Sequence, residues 1–219
     1  MATSIRFEEQ VEIPLALRTL AEFRAWAASD AFPEHGRDYL SGSIEVDISP
    51  EDLFCHGALK VEVIRVLSQR VKSQGLGHLF TDRTRVSVPA AELSVEPNVV
   101  FLSAEARSSG RVRLVPKEGG RPGRYVELEG PPDLVVEIVS DASVTKDTRR
   151  LPGAYARAGI REFWLADARG PDLVFRIHHL AESGYAPAAP DAEGFQRSAV
   201  FGALFRLDGR RDEQGGCLI

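Results

Sequence analysis

One run, PDLVVEIVS at 132–140, constrains this chain more than any other. A strand whose two faces both meet a core reads as an unbroken apolar stretch, and here Glu137 breaks the stretch at its centre. A helical pattern follows, with Leu151, Tyr155 and Ala158 on one face and a stop at Gly159. A second apolar strand, REFWLAD at 161–167, comes next. Strand, helix, strand predicts a crossover between parallel neighbours, hence a sheet with at least one parallel pair. A proline beyond the first helical turn loses a hydrogen bond and clashes with the turn before it. Pro152 therefore places the helix start near Arg149 or Arg150, capped by Thr148 or Asp147. Residues 141–147 become a loop at the C-terminal end of the Glu137 strand, where open α/β folds place their sites.

Burying an unpaired carboxylate costs several kcal/mol, roughly, so Glu137 calls for a metal, a cation or a hydrogen-bond network. A salt bridge, or an edge strand whose glutamate faces water, would meet the same need. Asp133 shares the face of Glu137, but four strand residues, roughly 13 Å, separate them, and one ion cannot take both. Asp133 reads instead as a strand-start partner for a basic residue. In VEPNVVFLS, Asn98 follows a proline into an apolar run. Its amide offers one neutral oxygen where an aspartate would give the charge that holds a hard divalent cation. Lys146 lies in the predicted loop past Glu137, where an ammonium could stabilise phosphate charge or hold an attacking water. A lysine simply solvated in a loop is the plainer alternative.

The rest of the chain supplies the frame. Residues 15–28 carry Leu17, Leu20, Ala21, Phe23 and Ala27 at helical spacing and predict a helix packed as a lid. RDYLSGSIEVDISP predicts a β-hairpin, with Tyr39 and Leu40, then Ile44, Val46 and Ile48, flanking a Ser-Gly-Ser turn. Leu59, Val63, Leu67 and Val71 recur every four residues and predict a helix over 52–74, ending near Gly75 and Gly77. Glu62 sits one residue off its apolar stripe. LFTDRTRVSVP, VEPNVVFLS and RVRLVPK each read as a strand, residues 108–130 as a mobile loop or hairpin, and DLVFRIHHL and AVFGALFRLD as further edge strands. The reading is one α/β domain over 1–219, a mixed sheet flanked by helices. It divides into an N-terminal helix and hairpin at 1–50, a core at 51–180 and C-terminal strands at 181–219.

Composition sets limits. Of 219 residues, 43% are hydrophobic and 27% charged, which argues against disorder. A net charge of −5 argues against promiscuous binding of polyanions. Basic residues still group at Arg107, Arg111, Arg113, Lys117, Arg121 and Arg124, and at Lys146, Arg149 and Arg150; the first group reads as a solvated face. No apolar run approaches the roughly 18 residues of a membrane helix, and the acidic opening lacks the apolar segment of a leader. Cys55 and Cys217 are too few for a disulfide framework, so a reducing cytoplasm is the expectation. His56, His178 and His179 match no metal spacing, and read as packing at a helix start and as an edge-strand pair. Tyr155 and Trp164 read as core beneath the site.

The stretch from EPNVVFL through PPDLVVEIVSDASVTKDTRRLPGAYARAGIREFWLAD resembles the Uma-type family of the PD-(D/E)XK endonuclease superfamily. DYLSGSIEVDISPEDLFCH resembles that family's N-terminal hairpin and helix, so the likeness spans 38–167. The resemblance implies a restriction-endonuclease-like fold, Mg²⁺ or Mn²⁺, and hydrolysis of DNA phosphodiesters. It puts Asn98 in the place of the motif's first Asp and Glu137 in that of its second acid. These two become candidate metal ligands, with a main-chain carbonyl near Ile138, and Glu137, Lys146 and Asn98 the candidate catalytic residues. The motif lysine would stand at Val139, and the family's usual lysine, four residues before the helix tyrosine, at Leu151; Lys146 is the nearest replacement. Glu62 could stand in for an early helical acid. Three readings follow: an endonuclease weakened by Asn98, a degenerate relative that binds nucleic acid or protein without cutting, and an oligomeric module whose Glu137 is satisfied by a salt bridge. A homodimer remains open.

Overall fold

The computed structural model describes residues 4–6, 12–14, 16–29, 32, 37–47, 49–211 and 217–218. Strands β1 (Ser4–Arg6) and β2 (Glu12–Pro14) pair antiparallel ahead of helix α1 (Leu20–Ala27), whose Thr19 and Glu22 form a capping box. The hairpin β3 (Arg37–Leu40) and β4 (Ser43–Val46) leads through a π-helical turn, Leu53–Ala58, into helix α2 (Leu59–Gln74). Then come β5 (Gly77–Thr81), β6 (Arg85–Val88), β7 (Leu93–Val95), β8 (Val99–Ser103) and the short helix α3 (Ala104–Ser108). Strands β9 (Arg113–Pro116), β10 (Tyr125–Glu129) and β11 (Leu134–Ile138) precede a second π-helical turn, Lys146–Arg150, which opens helix α4 (Leu151–Ala158). The chain continues through β12 (Glu162–Asp167), β13 (Val174–Ala181), β14 (Gly184–Pro187), β15 (Gln196–Ser198), β16 (Ala203–Phe205), β17 (Arg210–Arg211) and β18 (Cys217–Leu218).

Two six-stranded sheets result, in the orders β4-β3-β7-β6-β10-β9 and β14-β13-β12-β11-β8-β5. The crossover predicted from the Glu137 run is present: β11 and β12 are parallel from Leu134↔Glu162 to Ile138↔Ala166, joined through α4. Strand β8 flanks β11 on the other side, antiparallel, with Val136 opposite Val99.

The two sheets arise because two runs that read as single strands are each cut in two. LFTDRTRVSVP turns at Arg83, which takes the left-handed φ of 65°, and Thr84 N–H closes the turn on Thr81 O at 3.2 Å. Its halves, β5 and β6, lie in different sheets. VEPNVVFLS divides at Pro97, which cannot donate to a ladder, and gives β7 and β8, again in different sheets. Residues 108–130 hold the hairpin β9–β10, and β10 also runs parallel to β6.

One apolar layer lies between the sheets. Leu40, Val86, Val88, Leu93 and Val95 there meet Val100, Leu102, Val135 and Phe163, together with Leu151 and Tyr155 of α4. The second layer packs α2 and the β15–β16 ribbon on the far face, against Val99, Phe101, Leu134, Val136, Ile138 and Trp164. Alternation along β11 therefore puts Val135 and Glu137 on the face shared with α4 and the other sheet. Helix α1 adds a small cluster of Leu20, Phe23 and Trp26 on Tyr39.

Three further details differ from the sequence reading. Helical winding begins at Val144 rather than Arg149, and a π-helical turn, Lys146–Arg150, carries it to Pro152 in the first turn of α4. Asp147 and Thr148 do not cap that helix: Thr148 Oγ1 donates to Val144 O at 2.6 Å, and Asp147 is turned inward. Strand β13, with His178 and His179, is covered by β14 and is not an edge. Leu15 and Ile48 lie outside the described residues, as does the side chain of Cys217. Among the described residues no helix is long and apolar enough to cross a membrane.

Candidate active site

Glu137 ends up where its strand position dictates, 5% exposed on the inner face of β11. Continuing the β8–β11 register by one pair beyond Val136↔Val99 sets Asn98 opposite Glu137. The wholly buried Tyr155 of α4 donates its hydroxyl to Glu137 Oε1. From the π-helical turn, Lys146 reaches Asp38 of β3, with Nζ to Oδ2 at 3.1 Å, and Asp38 Oδ1 accepts the Glu96 N–H at 3.0 Å. Asp147, next in sequence and 2% exposed, accepts the Ser143 hydroxyl on Oδ2, while its Oδ1 has no hydrogen-bond partner among the described residues.

The electrostatics follow from this crowding. Burial first, and then the charge of Asp147, push Glu137 well above the ordinary carboxylate range, with Lys146 and the Tyr155 hydroxyl pulling the other way. Burial pushes Asp147 up to about 6 against the opposing pull of Lys146 and Ser143. Burial alone would lower the Lys146 ammonium, but Asp38, Glu137 and Asp147 outweigh it and hold the group above its usual value. Three carboxyl groups thus share one ammonium.

Glu162 shows what a purely structural buried acid looks like in the same sheet. Its Oε1 accepts from Trp164 Nε1 and Ser198 Oγ, each at 2.6 Å, and its Oε2 from the main-chain N–H of Ala199 and Val200 at 2.8 and 3.1 Å. Both oxygens are filled by these donors, and His179 Nδ1 lies 3.3 Å from Oε2. Glu137 has Tyr155 and otherwise faces other acids and one lysine.

That surplus of negative charge suits a divalent cation. Mg²⁺ keeps several waters and is commonly held by one or two carboxylates plus substrate oxygens. Among the described residues no three histidine, cysteine, aspartate or glutamate side chains gather on one point, so an ion here would be held by one or two carboxylates at most. Glu137, with the acidic Asp147 as a neighbour and the Asn98 amide opposite it, fits such an ion.

Asn98 is held from both sides of its amide. Oδ1 accepts the Ile138 N–H at 2.7 Å. Nδ2 lies 3.4 Å from His56 Nε2 and 3.5 Å from Asp82 Oδ1. His56 Nδ1 is 2.8 Å from Glu51 Oε1, and Lys60 bridges Glu51 and Asp82 at 2.8 Å each. If Nδ1–H donates to Glu51, Nε2 is left as an acceptor, which needs the N–H that an amide supplies.

The remaining candidates lie elsewhere. Glu62 pairs with Arg65 on the exposed side of α2, away from Glu137. Asp133 bonds Arg111 at 2.5 Å and accepts the Ser103 N–H at 2.8 Å, anchoring the start of β11. Leu151, in the place of the family's usual lysine, is 1% exposed in the core. Sequence reasoning passed over Asp38, which sits in the hairpin, Asp147, read as a cap, and Tyr155, read as core. The one signal for Asp147 was its position beside Lys146.

An α/β nuclease-like fold carrying a buried acid at the end of a central strand defines the class. Comparison gives the same fold: a crystal structure titled "a putative nuclease belonging to DUF820 from Anabaena variabilis" superposes with a TM-score of 0.55 at 19% identity, over 84% of this chain and 90% of that one. The Uma2 family model, described as "Putative restriction endonuclease", matches residues 20–207, and the chain belongs to that family. No curated protein matches it.

Proposed function

We propose that this chain is a divalent-metal-dependent endonuclease hydrolysing phosphodiester bonds in DNA, with Glu137 as the anionic metal ligand. The observation that carries the reading is the state of Glu137, buried on a central strand amid a surplus of carboxyl groups that neutral donors do not satisfy. Membership of the Uma2 family and the nuclease-like fold support it. When bound, Mg²⁺ or Mn²⁺ supplies Lewis-acid polarisation and charge neutralisation at the phosphodiester.

The chain's own groups divide the remaining work. Tyr155 Oη pins one oxygen of Glu137 and leaves the other for the ion. Asn98, its Oδ1 taking the Ile138 N–H and its Nδ2 facing His56 and Asp82, fixes the end of β8 beside Glu137 without adding charge to the ion's site. Lys146, held by Asp38 at the rim with a side chain 23% exposed, is placed to meet a phosphate oxygen or orient the attacking water. Arg149, also on this turn and exposed, adds positive charge for a polyanion.

The bonding of Asn98 favours a second reading, a relative that binds DNA without cutting it. The salt-bridge module is not favoured, since Arg150 pairs with Glu45 at 2.5 Å rather than with Glu137. A DNA-binding titration in Ca²⁺, run beside cleavage in Mg²⁺, separates the readings. Binding with Mg²⁺-dependent cleavage supports the endonuclease, binding without cleavage supports the second reading, and neither removes both.

A further inference from the structure

We propose, building on the reading of Glu137 as a metal ligand, that Asp147 is the second anionic ligand of the same cation and takes the part that residue 98 plays in the family motif. Asp147 is 2% exposed, and its Oδ1 has no hydrogen-bond partner among the described residues. A buried carboxyl oxygen without a donor is uncommon in folded proteins and calls for an explanation, of which a bound ion is one. The other oxygen is fixed from one side only. Ser143 donates to it, and Ser143 is itself locked into a turn by Ser140, Oγ to Oγ at 2.9 Å, with the Ser140 N–H on Ser143 Oγ at 2.9 Å. The turn orients the carboxylate and leaves Oδ1 open.

The backbone explains how Asp147 arrives there. It lies in the π-helical turn Lys146–Arg150, and π-helical turns inside helices often mark functional sites. The turn sends Lys146 and Asp147 inward together, Lys146 to Asp38 and Asp147 to Ser143, with the Asp147 charge acting on Glu137 to raise it. Asn98 meanwhile has lost the charge and spends its amide on Ile138, His56 and Asp82. The carboxylate missing from β8 is thus replaced from the entry to α4, and the pair of acids that holds the ion becomes Glu137 and Asp147.

The test is calorimetric titration of Mn²⁺ into the full chain as wild type, E137Q, D147N and S143A, each checked for a cooperative thermal transition. Wild type binds, E137Q and D147N bind about tenfold more weakly or worse, and S143A, which keeps the carboxylate but loses the donor that orients it, binds more weakly than wild type by a smaller factor. The ¹³C carboxyl signals of wild type titrated with Mg²⁺ ask the same question without a variant: Asp147 and Glu137 shift together. If E137Q loses Mn²⁺ while D147N binds as wild type, or the Asp147 carboxyl does not shift, the assignment of Asp147 is overturned and the role of Glu137 stands. If wild type itself binds no Mn²⁺, the metal reading falls and this assignment with it.

Discussion

The Asn98 side-chain oxygen accepts the Ile138 main-chain N–H at 2.7 Å, which makes residue 98 part of the junction between β8 and β11. The surroundings are built for an amide. Its N–H₂ faces Asp82 Oδ1, and His56 Nε2 as well when the His56 proton sits on Nδ1 towards Glu51. Restoring the motif acid with N98D should therefore cost stability, about 1–3 kcal/mol, through a carboxylate set against Asp82. It should lower the melting temperature by several degrees and leave Mn²⁺ affinity no tighter. An N98D protein as stable as wild type that binds Mn²⁺ more tightly would contradict this.

Tyr155 is the hydroxyl donor that the structure gives to Glu137. Y155F keeps the ring in its packing against Phe163, 5.8 Å between centroids, and removes only that donor. Urea denaturation should show a loss of about 1–3 kcal/mol. An unchanged midpoint would mean that Glu137 does not depend on Tyr155.

The pH dependence of the metal-free fold has a definite sign. Asp147, pushed up to about 6, and Glu137, also raised, hold their protons more tightly folded than unfolded. Their contribution is full below the ordinary carboxylate range and is lost as pH rises through the raised values. Between pH 5 and pH 8 wild type should therefore lose on the order of 2 kcal/mol more than D147N. Parallel stability profiles for the two proteins would refute the shift.

Glu162 provides the contrast. With both oxygens filled by donors from Trp164, Ser198, Ala199 and Val200, it ties the C-terminal ribbon to β12. E162Q turns an N–H₂ group on some of those donors, so chemical denaturation should report a loss of about 2–4 kcal/mol. Mn²⁺ binding should be untouched in whatever fraction folds. Loss of Mn²⁺ from folded E162Q would make it more than a structural acid.

Much of the frame was legible in the sequence. The crossover from Glu137 to REFWLAD, the helix ending at Gly159 and the DYLSGSIEV hairpin follow from periodicity and turn residues, which are local signals. The division into two sheets was not legible, since it depends on Arg83 adopting a left-handed turn and on where β5 to β8 pair across the core. The site was half visible. An acid inside an apolar strand marks itself, and so does an asparagine after Pro97. Asp38 comes 108 residues before Lys146, and no periodicity links them. Tyr155 satisfies the helical stripe so well that its hydroxyl went unread, and Asp147 was hidden by a π-helical turn that shifts the register on which capping arguments rest.

The most direct test of the central claim is nicking of supercoiled plasmid by purified wild type and E137Q in Mg²⁺, Mn²⁺ and EDTA. The account predicts that wild type nicks with either metal and not in EDTA, and that E137Q, though folded, is slower by a factor of about 100 or more. Nicking by E137Q at the wild-type rate, or a wild type that leaves the plasmid intact in both metals, would contradict it.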